Sequence, residues 1–97
     1  VRWDATCFKP KRSVKFMGFG LLANYCGKDM KYQIMWIIND EPSEEHIVEY
    51  TDDQKDPEIK SFTVDIRNLG CKYVNCGEGD KIVVKARNLY NGDDRYV

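Results

Sequence analysis

The chain has 97 residues, of which 32 % are charged, and its formal net charge at pH 7 is −1. This length fits one domain, residues 1–97, with a core that buries about two thirds of the unfolded surface. The near-neutral charge argues against a nucleic-acid partner, because such proteins need excess positive charge to neutralise phosphates. The longest apolar run, 34–38, is far shorter than the ~20 residues of a membrane helix, so membrane insertion is not expected.

The first predicted strand covers residues 13–22, which are rich in β-branched and aromatic side chains. Gly18 and Gly20 lie inside it, and glycines within a strand mark a bulge, a bend or a close backbone approach. The clearest predicted strand is 31–38, in which every second residue is apolar and shares one face. Trp36 lies on that face, so we expect it to be buried.

The rest of the chain alternates between turns and further strand patterns. Residues 39–43 predict a turn with Pro42 as the breaker, and 71–79 predict a loop. Further strands are predicted at 46–50, 59–66, 81–88 and, after an Asn91–Gly92 turn, 95–97. No stretch of ten or more residues has helical periodicity. Five or six strands predict an all-β fold, and an OB-type barrel fits better than a seven-stranded immunoglobulin-like sandwich.

The chain has four cysteines, which are Cys7, Cys26, Cys71 and Cys76. An even number in a short chain predicts two disulfides and therefore a secreted, extracellular protein. Free thiols and a metal site are the alternatives. Four residues separate the closest pair, unlike the Cys-x-x-Cys knuckle of zinc sites, so no metal is expected. The start at Val1, without a leader-like segment, is interpreted as a mature or trimmed chain.

Catalytic groups are sparse in this sequence. The single histidine, His46, begins a strand in an acidic stretch and has no nucleophile motif nearby, so a surface position is expected. The carboxylates Glu44, Glu45 and Glu49 have polar surroundings, which do not separate the pKa values of an acid–base pair. Gly77-Glu-Gly79 lacks the third glycine of a nucleotide loop. We therefore predict a protein that is not an enzyme and has no cofactor.

Aromatic residues make up 12 % of the chain, more than a core of this size needs. Exposed Trp and Tyr side chains are common anchors at protein interfaces. Trp3 and Tyr25 are the leading candidates for such anchors. Val1 and Arg2, which precede Trp3, are also predicted to bind the partner. We predict a monomer that binds an extracellular protein partner through these residues.

Three stretches of the chain follow one another in a characteristic order. They are Cys7 followed by 13–16, the pair 31–38 and 46–51 with Pro42 between them, and 71–83 with its two cysteines and Gly-rich turn. This order resembles the netrin-like domain family, which includes the inhibitory domain of tissue inhibitors of metalloproteinases. The resemblance covers about residues 7–88 and implies a five-stranded OB-type barrel.

The resemblance also implies a disulfide pairing. A straight strand over 13–22 separates Cys7 from Cys26 by about 30 Å, which disfavours that pair and leaves two connectivities open. The family pattern joins the early cysteine to the one before the Gly-rich turn, so the resemblance implies Cys7–Cys71 and Cys26–Cys76.

The chain departs from the family at its start. Metalloproteinase inhibitors of this family begin with a cysteine whose amine and carbonyl bind the protease zinc, whereas this chain begins with Val1. We expect residues 1–6 to be a loose arm that pays a large ordering entropy on binding.

The chain is also similar to small netrin-like proteins among the excretory-secretory products of parasitic worms such as hookworms. The expected function is a secreted, non-enzymatic binding or effector protein, host-directed or immune-modulating if it comes from such a worm. The alternative is an inhibitor of an extracellular protease, including metalloproteases.

Overall fold

The computed structural model describes residues 3–23 and 29–89. This part of the chain is mostly β, with nine strands and two short 3-10 helices at Asp52–Gln54 and Ile66–Leu69. The strands are β1 (Asp4–Phe8), β2 (Val14–Phe16), β3 (Gly18–Leu22), β4 (Met30–Ile38), β5 (Glu41–Pro42), β6 (His46–Tyr50), β7 (Ser61–Asp65), β8 (Val74–Cys76) and β9 (Ile82–Asn88). No helix in the described ranges has the length and apolar character needed to cross a bilayer.

The strands form one large sheet and two antiparallel pairs. The large sheet has the order β1-β9-β4-β5, and β6 also pairs with β4. The two pairs are β2 with β8 and β3 with β7. The predicted all-β class is confirmed, but the pairings among the described strands do not close into a barrel.

Strand β4 organises the core, as the period-two pattern predicted. Tyr32, Ile34 and Trp36 are all buried, and Trp36 is only 5 % exposed. We call the face of the large sheet that carries these side chains the inner face and the opposite one the outer face. Residues that oppose one another in an antiparallel pair share a face, so register assigns each neighbouring side chain to one of the two.

The core lies between the inner face and the two smaller strand pairs. Twelve hydrophobic side chains are buried there, namely Phe16, Leu21, Met30, Tyr32, Ile34, Trp36, Val48, Phe62, Val64, Ile66, Cys76 and Ile82. Aromatic rings form two clusters within it. One joins Phe16 to Trp36, with ring centroids 6.0 Å apart. The other stacks Tyr50 on Phe62 at 4.8 Å, with Tyr32 beside them.

The predicted strand 13–22 is bent into β2 and β3, which have different partners. Met17 separates the two strands, and its carbonyl accepts a hydrogen bond from the Ile66 N–H at 3.0 Å. Gly18 is required just after the bend, because a Cβ there would lie 1.8 Å from the carbonyl oxygen of Val64. The expectation that a glycine permits a bend and a close backbone approach is therefore confirmed.

The turn expected at 39–43 is shorter than predicted. Asn39 and Asp40 take positive φ values of 50° and 69°, as in a two-residue hairpin turn. Pro42 is not a breaker but a member of β5, where it opposes Ile37. A two-residue strand at a sheet edge tolerates proline, because it does not need every N–H for the ladder.

Two elements were missed in segments that looked irregular. The predicted loop 71–79 contains β8, which pairs with β2. The expected loose arm 1–6 is wrong from Asp4 onwards, because β1 pairs along β9 from Asp4 to Phe8. All five β1 residues are exposed, so this segment lacks the alternation of buried apolar and exposed polar residues that predicts a strand. The predicted turn at 91–92 and strand at 95–97 lie outside the described residues.

Candidate functional site

A groove of about 460 Å³ separates β1 from β3. Its apolar lining comes from three strands: the inner-face residues Tyr32 on β4 and Val84 and Ala86 on β9, and the facing residues Phe19 and Leu21 on β3. Asp4 and Thr6 of β1 line the opposite wall. The groove therefore opens directly onto the core between two strands that do not pair with each other.

Both strands beside this groove are edge strands in the described part of the fold. Strand β1 pairs only with β9, and β3 pairs only with β7. In an antiparallel ladder, some backbone N–H and C=O groups of an edge strand point away from its partner. These groups give the groove a hydrogen-bonding character that its apolar side chains lack.

Tyr32 connects the floor of the groove to its lip. Its hydroxyl donates a 2.7 Å hydrogen bond to the carbonyl oxygen of Leu22. Burial, together with the neighbouring Tyr50, raises the pKa of Tyr32 to about 12, so the donor proton is retained at neutral pH. The Leu22 side chain itself is 80 % exposed at the lip. A large apolar side chain held this far into solvent is a candidate contact for a partner.

Trp3, a predicted partner-binding residue, is half-buried rather than free. Lys85 Nζ lies 5.5 Å from the Trp3 ring centroid and the Arg87 guanidinium carbon lies 4.9 Å from it, both within cation–π range. Arg87 also donates through Nε to Gln33 Oε1 at 2.7 Å. Because register places Lys85 opposite Met35 and Arg87 opposite Gln33, these two cations hold the indole on the outer face of the large sheet. Val1, Arg2 and Tyr25, the other predicted partner-binding residues, lie outside the described residues.

The described cysteines, Cys7, Cys71 and Cys76, are free thiols, and Cys26 lies outside the described residues. The Cys7–Cys71 bridge implied by the resemblance is not formed, and Cys76 is likewise not part of the implied Cys26–Cys76 bridge. Cys7 opposes Val83, which opposes Ile37, and this register places Cys7 on the outer face. Cys71 packs against the core on the inner face, so the sheet separates the two thiols.

Cys71 instead contacts His46, a pair that the sequence analysis missed. Cys71 Sγ lies 3.7 Å from His46 Nε2, and the imidazole stacks on Trp36 with ring centroids 5.4 Å apart and planes 7° apart. His46 is therefore half-buried on the inner face and not simply on the surface as predicted. The signal was present, since His46, Val48 and Tyr50 alternate along β6 as the inward residues of a strand do.

A second cavity, of about 500 Å³, lies beside this pair. Its lining consists of Lys15, Arg67, Gly70, Cys71, Lys72, Tyr73 and Asn75. Three of these residues are cationic, and the Arg67 guanidinium packs over the Tyr73 ring at 4.1 Å. Tyr73 in turn donates to Asp65 Oδ2 at 3.0 Å. The molecule thus has an apolar groove bordered by strand edges and, separately, a basic cavity that contains a thiol.

Comparison with known proteins finds no matching family model, no matching curated protein and no matching solved structure.

Proposed function

We propose that this chain is a non-enzymatic binding module that takes an extended segment of a protein partner into the groove between β1 and β3. The observation that carries the proposal is that two edge strands border one apolar groove. Extended peptides commonly bind by adding a strand to such an edge, where main-chain hydrogen bonds supply affinity and side-chain pockets supply specificity. We also propose the OB-type, netrin-like barrel as the parent fold, with the bound strand filling the gap.

The lining of the groove indicates the chemistry of the partner. Side chains alternate in direction along a strand, so every second residue of a bound segment faces the apolar floor around Tyr32 and Val84. Register directs the Lys85 and Arg87 side chains to the outer face, opposite Met35 and Gln33, so they do not give the groove a positive charge, and the charged side chain on the groove's own face is Asp4. The complementary ligand is an extended segment with apolar residues at alternate positions.

The groove is tested with a displayed library of random peptides of about eight residues, slightly longer than a typical strand. The best binder is then labelled, and its affinity is measured by fluorescence anisotropy. We expect the selected peptides to share alternating apolar positions. A library that yields no binder, or only binders without this alternation, contradicts the proposal.

Leu22→Asp and Ile59→Asp form a matched pair for the same assay. Both residues are exposed, at 80 % and 65 %, but only Leu22 lines the groove. Leu22→Asp loses apolar contact and places a charge at the apolar lip of the groove, so we expect affinity to fall about tenfold or more, a loss of about 1.4 kcal/mol. Ile59→Asp is expected to bind like the unmodified chain. Equal effects at the two positions would place the binding surface elsewhere.

A further inference from the structure

We propose that Cys71 is a reactive thiol that forms mixed disulfides with small anionic disulfides of the oxidised-glutathione type. The site is the basic cavity around Cys71, at the opposite end of β4 from the groove. It is independent of the peptide-binding proposal, because it shares no lining residue with the groove.

A proton acceptor lies beside the Cys71 thiol. His46 Nε2 lies 3.7 Å from Cys71 Sγ, within hydrogen-bond reach for sulfur. The imidazole cannot turn freely, because it stacks in near-parallel fashion on the buried Trp36 ring. Register fixes it as well, since His46 opposes Ile34 on the central strand. A thiol with a positioned base beside it is the arrangement that activates cysteine nucleophiles.

The cavity beside Cys71 is rich in positive charge. Lys15, Arg67 and Lys72 come from three different segments and line the space into which Cys71 opens. The Asp65 carboxylate nearby is already engaged by the Tyr73 hydroxyl and by the Arg67 N–H, at 3.0 Å each. The cavity therefore favours an anionic reagent. Glutathione disulfide carries carboxylates at both ends, which matches this distribution.

The other two described cysteines differ from Cys71 in their exposure and in the groups around them. Cys7 is exposed on the outer face, where it opposes Val83 instead of a basic group. Cys76 is only 2 % exposed, and burial together with Asp80 raises the pKa of its thiol. Exposure alone thus favours Cys7, whereas base placement and charge favour Cys71.

The reaction is a thiol–disulfide exchange. The Cys71 proton passes to Nε2 of His46 when that nitrogen is unprotonated, and the thiolate attacks one sulfur of the disulfide. A bond forms between Cys71 Sγ and that glutathionyl sulfur while the original S–S bond breaks. The leaving glutathione thiolate takes the proton from His46. Cys71 is oxidised to the mixed disulfide, and one glutathione is reduced.

The experiment exposes the reduced 97-residue chain to oxidised glutathione and follows each cysteine by peptide mass spectrometry. We expect Cys71 to react about tenfold or more faster than Cys7, and Cys76 not to react in the folded chain. A neutral reagent, hydroxyethyl disulfide, is expected to show a smaller preference for Cys71. Lys72→Gln is expected to lower the rate with oxidised glutathione about two- to fivefold at low salt and less at higher ionic strength. Its rate with the neutral reagent is expected to stay unchanged.

His46→Phe tests the base while keeping an aromatic ring on Trp36. We expect the Cys71 rate to fall about a hundredfold, the low end of a general-base contribution, with the Cys7 rate unchanged. Near-ultraviolet circular dichroism checks that the packing around Trp36 persists. The proposal is overturned if Cys7 reacts as fast as Cys71. It is also overturned if both His46→Phe and Lys72→Gln leave the Cys71 rate with oxidised glutathione unchanged.

Discussion

The two ends of strand β4 support sites of opposite character. Tyr32 and Trp36 lie four residues apart on the same buried face, and each links the core to one site. Tyr32 hydrogen-bonds the lip of the apolar groove, whereas Trp36 supports the imidazole that contacts the Cys71 thiol. A central strand with partners on both sides thus carries a recognition surface near one end and a thiol–imidazole pair near the other. The difference arises from the neighbours: strand edges at one end, and basic side chains at the other.

The largest expected effect is a loss of stability in β3, one of the two strands that border the groove. In Gly18→Ala, the new Cβ would lie 1.8 Å from the Val64 carbonyl oxygen, a backbone atom that cannot move without separating β3 from β7. We expect the free energy of unfolding to fall by about 3 kcal/mol or more, measured by chemical denaturation.

Gly20→Ala is the matched control for that substitution. It lies two residues further along the same strand, where the nearest atom to a new Cβ is 3.9 Å away. We expect a change within about 1 kcal/mol, because the added methyl group meets only ordinary contact distances. Similar losses for the two variants would show that β3 does not approach β7 as closely as described.

The next effect is a loss of stability at alkaline pH, and it arises from Tyr32 at the groove end of β4. The pKa of Tyr32 is raised to about 12 by burial and by Tyr50, against an ordinary value of 10.0. The unfolded chain therefore loses this proton at lower pH than the folded chain, so the stabilisation is fully present below pH ~10 and is lost as pH rises towards ~12. We expect unfolding free energy to fall by up to about 1.4 kcal/mol per pH unit in this window from Tyr32 alone.

Tyr32→Phe is the control for the alkaline effect. It removes the titrating group and the hydrogen bond to the Leu22 carbonyl, so it costs about 1 kcal/mol at neutral pH but flattens the alkaline loss. Burial also raises the pKa of Tyr50, which keeps a residual slope of the same sign. Denaturation curves of the unmodified chain and of Tyr32→Phe between pH 8 and ~12 measure both the cost near neutral pH and the alkaline slope. A slope that is equally steep in Tyr32→Phe would assign the titration to another group.

The smallest expected effect concerns Cys7. Because the sheet separates Cys7 from Cys71, we expect Cys7→Ser to leave the free energy of unfolding unchanged, with or without reductant. Peptide mapping is expected to find no Cys7–Cys71 bridge. A native bridge would contribute about 2–4 kcal/mol, so a loss of that size in Cys7→Ser would contradict the arrangement of β1 against β9.

The strands with strong alternation could be predicted from the sequence, and those without it could not. The patterns around Trp36, Val64 and Ile82 predicted β4, β7 and β9, because a strand with one buried face must place apolar residues at every second position. Strand β1 has five exposed residues and gave no such signal. It exists because β9 offers it an unpaired edge, which is a property of the sheet and not of the segment itself.

The sequence by itself determined which side chains are buried along each strongly patterned strand, since side-chain alternation is a local property of extended backbone. It also indicated that the segment 13–22 contains a bend or a close approach, through Gly18 and Gly20, but the contact with the Val64 carbonyl that requires glycine at position 18 is tertiary. Tertiary structure alone decided which strands meet. The contact between His46 and Cys71 spans 25 residues of chain, and the groove exists because β1 and β3 border one space without pairing. Such contacts depend on non-local strand pairing, which is selected by how the whole core packs, so no short stretch of sequence specifies them.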